Sequence, residues 1–405
     1  MVYELRHQPY FGLYLTYQII TTTFVRVPYW FLVSTPVSWR PRPSWTVKRS
    51  VLVKFFRHLF RMTQKTGALT TFPTHHAITD GPGIKGVWVD GVPQLITGEL
   101  TTWASVADVR PARIPGYWID RDENLSAGAP PQPGDKVLYR LHGGAYIQLS
   151  AHPRDPTANI ARGILKYCKS ITRTFAIEYR LSTAAPYEVS NPFPAALLDA
   201  IAGYNYLVNV VGFSPADIIV QGDSAGGNLA LAFIRYLLEY QQDTFVNLPA
   251  PPRALILLSP WSDIGSSHEG PLSSLSTHYS TDYSAGRSAT RVSYAKSAFL
   301  GPFGFGIAER CRYISPASLN PCVRARFQGF PRTFLCAGGA EPLMDSILSL
   351  RWKMEADMGE GRSAGKIEYY EAADALHDFI LFPWHEPEVG QTLERIAEWL
   401  SVEDS

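Results

Sequence analysis

From residue 136 onward, short apolar runs and helical repeats alternate along the chain. The apolar runs fall at 136–141, 174–177, 218–220, 254–258, 333–336 and 367–370. Between them, apolar positions spaced by three and four residues predict helices at about 194–211, 226–240, 343–358 and 387–400. Strands that are apolar at nearly every position are buried on both faces. Alternation of such strands with helices predicts an α/β fold, a mostly parallel sheet with helices on both sides. Residues 262–315 interrupt the rhythm with Ser, Gly and aromatic residues, and predict an insertion over the C-terminal edge of the sheet. Residues 80–135 are rich in Gly and Pro, with short apolar runs at 86–89 and 116–119 that predict edge strands and a linker. No internal repeat is visible.

The N-terminal residues 1–79 have a different texture and are expected to form an arm with cap helices, with the main domain at 80–405. Residues 11–33 are apolar but broken by Arg26 and Pro28. A membrane-crossing helix needs about 20 mainly apolar residues, so this is a marginal span. Farther on, Val47, Val51, Leu52, Phe55, Leu59 and Met62 recur at helical spacing. Lys48, Arg49, Lys54, Arg57 and Arg61 lie between them, and Ser44 is a candidate cap. Two readings stand side by side: a basic amphipathic helix lying in a membrane interface, and a cap helix covering the body of the protein. A transit peptide is a third.

Charge sharpens this picture. The chain carries 37 basic and 36 acidic residues. Residues 1–79 hold ten Lys/Arg against the single acid Glu4, a net +9, which leaves −8 on the remainder. A basic, apolar arm on an acidic body points to a membrane surface as partner through residues 11–65. Nucleic acid is not expected, because no nucleic-acid-binding motif accompanies the charge. The four cysteines, Cys168, Cys311, Cys322 and Cys336, are scattered, which argues against a structural zinc site and a disulfide framework. The expected location is intracellular, peripheral to or anchored at a membrane such as the endoplasmic reticulum. The oligomeric state is left open.

The chemistry centres on Gly222-Asp223-Ser224-Ala225-Gly226-Gly227, between an apolar strand and a helical repeat. This is the strand, tight turn and helix of a nucleophile elbow, G-x-S-x-G. Small neighbours let the backbone hold Ser224 in a strained, exposed position. A glycine-rich turn before a helix can also cradle a phosphate without catalysis. A serine nucleophile needs a base, and the base an orienting acid. His377 lies in the loop between the last strand and the last helix. Glu341 and Asp345 follow the strand at 333–336 and compete for the acid, the other being free to cap a helix. His142-Gly143-Gly144 follows the strand at 136–141. Backbone N–H groups of Gly143 and Gly144, with that of Ala225, are the candidate oxyanion donors.

These pieces together resemble the hormone-sensitive lipase-like family of α/β hydrolases, which includes arylacetamide deacetylase, steryl acetyl hydrolases and many esterases. The resemblance rests on His142-Gly143-Gly144, Tyr179-Arg180-Leu181, Phe193 to Asp199, Gly222 to Gly227, Ser259-Pro260-Trp261-Ser262-Asp263 and His377-Asp378-Phe379. It implies an eight-stranded core sheet, a cap built from the N-terminal segment and the insertion, and ester hydrolysis through a serine with no metal or cofactor. Three features depart from the family pattern. Ala145 stands where a third glycine is usual. Glu341 stands where an aspartate is usual, 36 residues before His377. The segment from Ser182 to Asn191 is stretched. The expected function is a serine carboxylesterase or deacetylase acting on an apolar small molecule or lipid ester. An acyltransferase or lactone-forming enzyme is an alternative outcome of the same site. A non-catalytic receptor on a hydrolase scaffold, as in the plant gibberellin receptor, is disfavoured by the presence of His377.

Overall fold

A computed structural model describes residues 3–67, 69, 73–284 and 289–402. Its centre is an eight-stranded sheet in the order β1-β2-β4-β3-β5-β6-β7-β8. The strands are β1 Lys85–Val89, β2 Ile114–Asp120, β3 Lys136–Leu141, β4 Ile171–Ile177, β5 Ile218–Asp223, β6 Ala254–Leu258, β7 Arg332–Gly338 and β8 Ile367–Ala372. β1, β2 and β4 pair antiparallel, and every pairing from β4 through β3 to β8 is parallel. The helices are α1 Tyr10–Thr21, α2 Val27–Ser34, α3 Val47–Thr66, α4 Gly98–Val106, α5 Ala158–Tyr167, α6 Ala195–Asn205, α7 Ala225–Glu239, α8 Ser274–Thr277, α9 Ala289–Leu300, α10 Phe305–Ala308, α11 Met344–Met358 and α12 Glu388–Ser401.

The continuous apolar strands divide their side chains between two cores, as the pleat requires. Val137, Tyr139, Val220, Leu255 and Leu257 face one cluster with α4, α6, α7 and α11. Leu138, Ile219, Ile256 and Leu258 face the other with α5 and α12. Every residue of α7 from Ala225 to Leu237 is buried, so this helix is wedged between sheet, α6 and the insertion. That burial fixes the helix whose first residue follows Ser224.

Four local expectations change. α4 and α5 fall where no helix is expected, because each is short and its apolar spacing spans only two or three turns. β4 begins three residues early, at Ile171, because Arg173 is fully buried within the strand. Its guanidinium lies 4.3 Å from the Trp118 ring centroid, and its Nε bonds Asp120 Oδ1 at 3.0 Å. The cap of α3 is Thr46, whose hydroxyl accepts the Arg49 N–H at 3.1 Å. Ser44 instead donates to Asp374 Oδ1 at 2.8 Å.

The N-terminal arm is tied into the second core. Trp45 and Val53 are fully buried members of it. Trp45 Nε1 donates to the Asp374 carbonyl at 3.0 Å. Arg49 forks onto Glu388 at 2.7 and 2.6 Å, the bidentate geometry that suits a guanidinium and a carboxylate. Phe56 stacks on Trp384. α1 and α2 are joined by a π-helical turn at Thr22–Arg26. Among the described residues, no helix is long and apolar enough to cross a membrane.

Truncating a fully buried tryptophan typically costs about 3–5 kcal/mol. Trp45→Ala is therefore expected to lower the urea-unfolding free energy by about that amount. A loss below about 1 kcal/mol would show that the arm does not share the core.

Candidate active site

Ser224 sits between β5 and α7 with φ 51° and ψ −117°, in a region that L-residues rarely occupy. The close glycines explain how the turn is reached. A Cβ at Gly222 would overlap the Gly226 carbonyl, and one at Gly226 would overlap the Leu141 carbonyl. A Cβ at Gly227 would lie 2.7 Å from Pro260 Cβ. The turn is pinned by backbone bonds: Ser224 N–H donates to Leu258 at 3.0 Å, and Trp261 N–H donates to the Ser224 carbonyl at 2.8 Å.

His377 Nε2 lies 2.9 Å from Ser224 Oγ. On the other side of the ring, Nδ1 faces Glu341 Oε1 at 3.7 Å. Both of these atoms are buried and have no other hydrogen-bond partner. Catalytic contacts are often long in unliganded proteins and tighten when substrate binds. Glu341 is aimed by its second oxygen. Oε2 accepts from Ser259 Oγ at 2.5 Å and from Gly338 N–H at 2.9 Å, which leaves Oε1 turned to the imidazole. Asp345 is engaged elsewhere. Its Oδ2 accepts Ser274 N–H at 2.8 Å, and its N–H donates to Ser274 Oγ at 3.1 Å. It ties α8 to the start of α11 and makes no contact with His377 among the described residues.

The loop after β3 is built around His142. Burial pushes the pKa of its ring down to about 3, so the imidazole is neutral. Nδ1 donates to the Gly143 carbonyl at 2.7 Å, and the ring stacks on Tyr179 at 4.2 Å. Gly143 N–H donates to Asp223 Oδ2 at 2.8 Å and is therefore spent inside the protein. This corrects its expected place among the oxyanion donors: the buried carboxylate of Asp223 reaches across from β5 and captures it. The N–H groups of Gly144, Ala145 and Ala225 have no protein acceptor among the described residues. Gly144 at φ +110° needs its glycine, since a Cβ would overlap the Gln148 carbonyl.

Two residues around His377 escaped sequence reasoning. Asp378 Oδ2 lies 3.2 Å from His377 Nε2. Asp282, from the insertion, accepts the His377 backbone N–H on Oδ2 at 2.6 Å. The Asp282 carbonyl in turn accepts Arg57 Nε from α3 at 2.8 Å. The Asp282 contact has no sequence signal, because it depends on distant segments meeting, and the Asp378 contact depends on a loop conformation, with Asp378 at φ 49°, that residue spacing does not record. Burial works against a charged His377 ring, but Asp378, Glu341 and Asp282 outweigh it and lift its pKa to about 10. Burial also pushes the Asp378 carboxyl upward from its ordinary value.

Beside α7, Tyr146, Phe193, Leu229, Phe299 and Tyr313 line a small apolar cavity. Tyr146 stacks on Phe299 at 4.0 Å, and its hydroxyl donates to Asn228 Oδ1 at 2.8 Å. Among the described residues, no group of three or more His, Cys, Asp or Glu is placed to hold a metal ion.

Comparison with known proteins adds a family. Residues 138–381 match the model of a family described by the α/β hydrolase fold. An esterase of Acinetobacter venetianus is 28% identical over 300 residues, covering 73% of this chain and 82% of that protein. Steryl acetyl hydrolase 1 of Saccharomyces cerevisiae is 27% identical over 136 residues, covering 34% of this chain and 29% of that protein. The solved structure of an esterase from the bacterial hormone-sensitive lipase family matches in fold with a TM-score of 0.53, at 23% identity over 92% of this chain and 96% of that one.

Asp282 carries a negative charge that favours the imidazolium. Asp282→Asn keeps an acceptor for the backbone N–H but removes that charge. The acid limb of the kcat/KM pH profile is then expected to move to lower pH, because His377 stays deprotonated further down. An unmoved limb with a lower rate would assign Asp282 a purely structural part.

Proposed function

Because the chain belongs to the α/β-hydrolase family and is hormone-sensitive lipase-like in its motifs, we propose that it is a serine carboxylesterase or deacetylase working through an acyl-enzyme. The observation that carries this reading is the contact of Ser224 Oγ with His377 Nε2 at 2.9 Å, with the Glu341 carboxylate on the opposite nitrogen. His377 takes the Ser224 proton as Oγ attacks the ester carbonyl. The oxyanion that forms accepts from the N–H groups of Gly144 and Ala225, and Ala145 N–H replaces the donor that Gly143 has spent on Asp223. Glu341 steadies the imidazolium, which then gives its proton to the leaving alcohol. Water, activated by the same imidazole, releases the acid.

Glutamate fits this part because Ser259 and Gly338 draw one carboxylate oxygen back toward β7. The longer side chain is thereby folded away, and its free oxygen faces Nδ1. The substrate proposed is an apolar ester. A relative whose name is steryl acetyl hydrolase supports it.

Ser224→Ala is expected to remove hydrolysis of short p-nitrophenyl esters and labelling by a fluorophosphonate, with kcat down by at least about a thousandfold. Glu341→Gln should lower kcat by about a hundredfold or more, while Asp345→Asn stays near wild type. Full activity of the Ser224 variant would overturn the reading. Transfer of the acyl group to an added alcohol in place of water, seen by product analysis, would redirect it to acyl transfer.

A further inference from the structure

The first two helices are turned inside out. α1, the π-helical turn and α2 run without a break from Tyr10 to Ser34. The buried positions of this run are polar: Gln18, Thr22 and Ser34. Thr22 and Ser34 are held by polar contacts with α3. Thr22 Oγ1 lies 3.1 Å from His58 Nε2, and Lys54 Nζ donates to Ser34 Oγ at 2.6 Å. Trp30 meets the His58 ring edge-on beside them. The opposite side carries Leu13, Ile19, Ile20, Phe24, Phe31 and Leu32, each 53–74% exposed. A helix facing water has the reverse arrangement, apolar side inward. Contiguous apolar patches of this extent are rare on soluble monomers and mark an interaction surface.

We propose that this face is seated in the interfacial layer of an anionic lipid bilayer, with the helix lying along the membrane plane. Three observations select lipid over a protein. The outward face has no charged residue between Tyr10 and Val25, and the only charge of the run, Arg26, turns inward to Thr21 and Thr22. A protein interface would ask for a polar rim and hydrogen-bonding partners; hydrocarbon asks for none. The surrounding arm is basic, with Lys48, Arg61 and Lys65 exposed and Glu4 as the single acid of residues 1–79. Basic side chains beside an apolar helix face are the combination that binds anionic membranes. Trp39, just beyond α2, is 67% exposed and suits the headgroup level. The in-plane orientation follows from the inner side, which is hydrogen-bonded to α3 and cannot leave it to span the bilayer. The contact is also close to the chemistry: α3 reaches Asp282 through Arg57 and packs Phe56 on Phe382, in the loops that flank His377.

The test is flotation of the full chain with phosphatidylcholine vesicles, with and without phosphatidylserine. The wild type and Ser224→Ala should float alike and prefer vesicles with phosphatidylserine, so binding is read independently of esterase activity. The triple variant Ile20→Asp, Phe24→Asp, Leu32→Asp should partition at least about tenfold less. Its circular dichroism and its turnover of a water-soluble acetate ester should match wild type. Phe24→Glu alone serves if the triple variant does not fold, and should also bind less. Wild type that stays with the buffer, or variants that float as wild type does, would overturn the proposal. So would a lipid-free dimer in sedimentation that the substitutions dissociate, which would assign the face to a second copy.

Discussion

Holding one serine at φ 51° is the constraint on which the rest of this structure depends. A backbone in that region costs of order 1–3 kcal/mol and survives only where its surroundings over-determine it. Here they do. β5 and α7, buried along nearly their whole length, clamp both ends of the turn. Gly222, Gly226 and Gly227 leave no room for side chains between the turn and its neighbours. The close approach of Gly226 to the Leu141 carbonyl brings the end of β3 against the elbow, and so brings the loop of Gly143 and Gly144 to the serine. The strain and the neighbouring donors are thus consequences of one packing arrangement.

The partner of that serine is held from three sides. β7 supplies Glu341, the insertion supplies Asp282, and the arm supplies Arg57 behind Asp282. Trp45 and Ser44 bond Asp374, three residues before His377, and Arg42 pairs with the same carboxylate. The N-terminal arm therefore acts on the site through the loop that carries the base. An arm that merely tethered the enzyme would have no reason to share its core or to brace this loop.

Much of this was legible in the residue pattern, for identifiable reasons. Strands buried on both faces leave nearly unbroken apolar runs, and the parallel order follows from the helices between them. β4 was read short because Arg173, buried beneath Trp118 and paired with Asp120, looks like an exposed charge until its partners are known. Ser224, His377 and the rival carboxylates stood out as candidates because nucleophilic chemistry asks for their residue types and the α/β-hydrolase fold sets their order along the chain. The choice between Glu341 and Asp345 was not, since it depends on Ser274 engaging one and Ser259 the other. Gly143 was misassigned for a similar reason. Which amide points outward is decided by a carboxylate 80 residues away, and no local spacing records it.

The same logic bears on the electrostatics of the base. Asp223, Asp282, Glu341 and Asp378 all act on His377, and four full charges in a buried pocket would trap it as an imidazolium, useless for taking the serine proton. Burial raises the pKa of Asp223 and of Asp378, and Asp378 has no hydrogen-bond donor to Oδ1. Glu341, by contrast, has two hydrogen-bond donors on Oε2. Asp378 lies 3.2 Å from Nε2 and Glu341 3.7 Å from Nδ1, so the imidazole has a carboxyl group beside each ring nitrogen. Hydrogen bonding to one carboxylate and its denial to another separate two acids that differ little in burial.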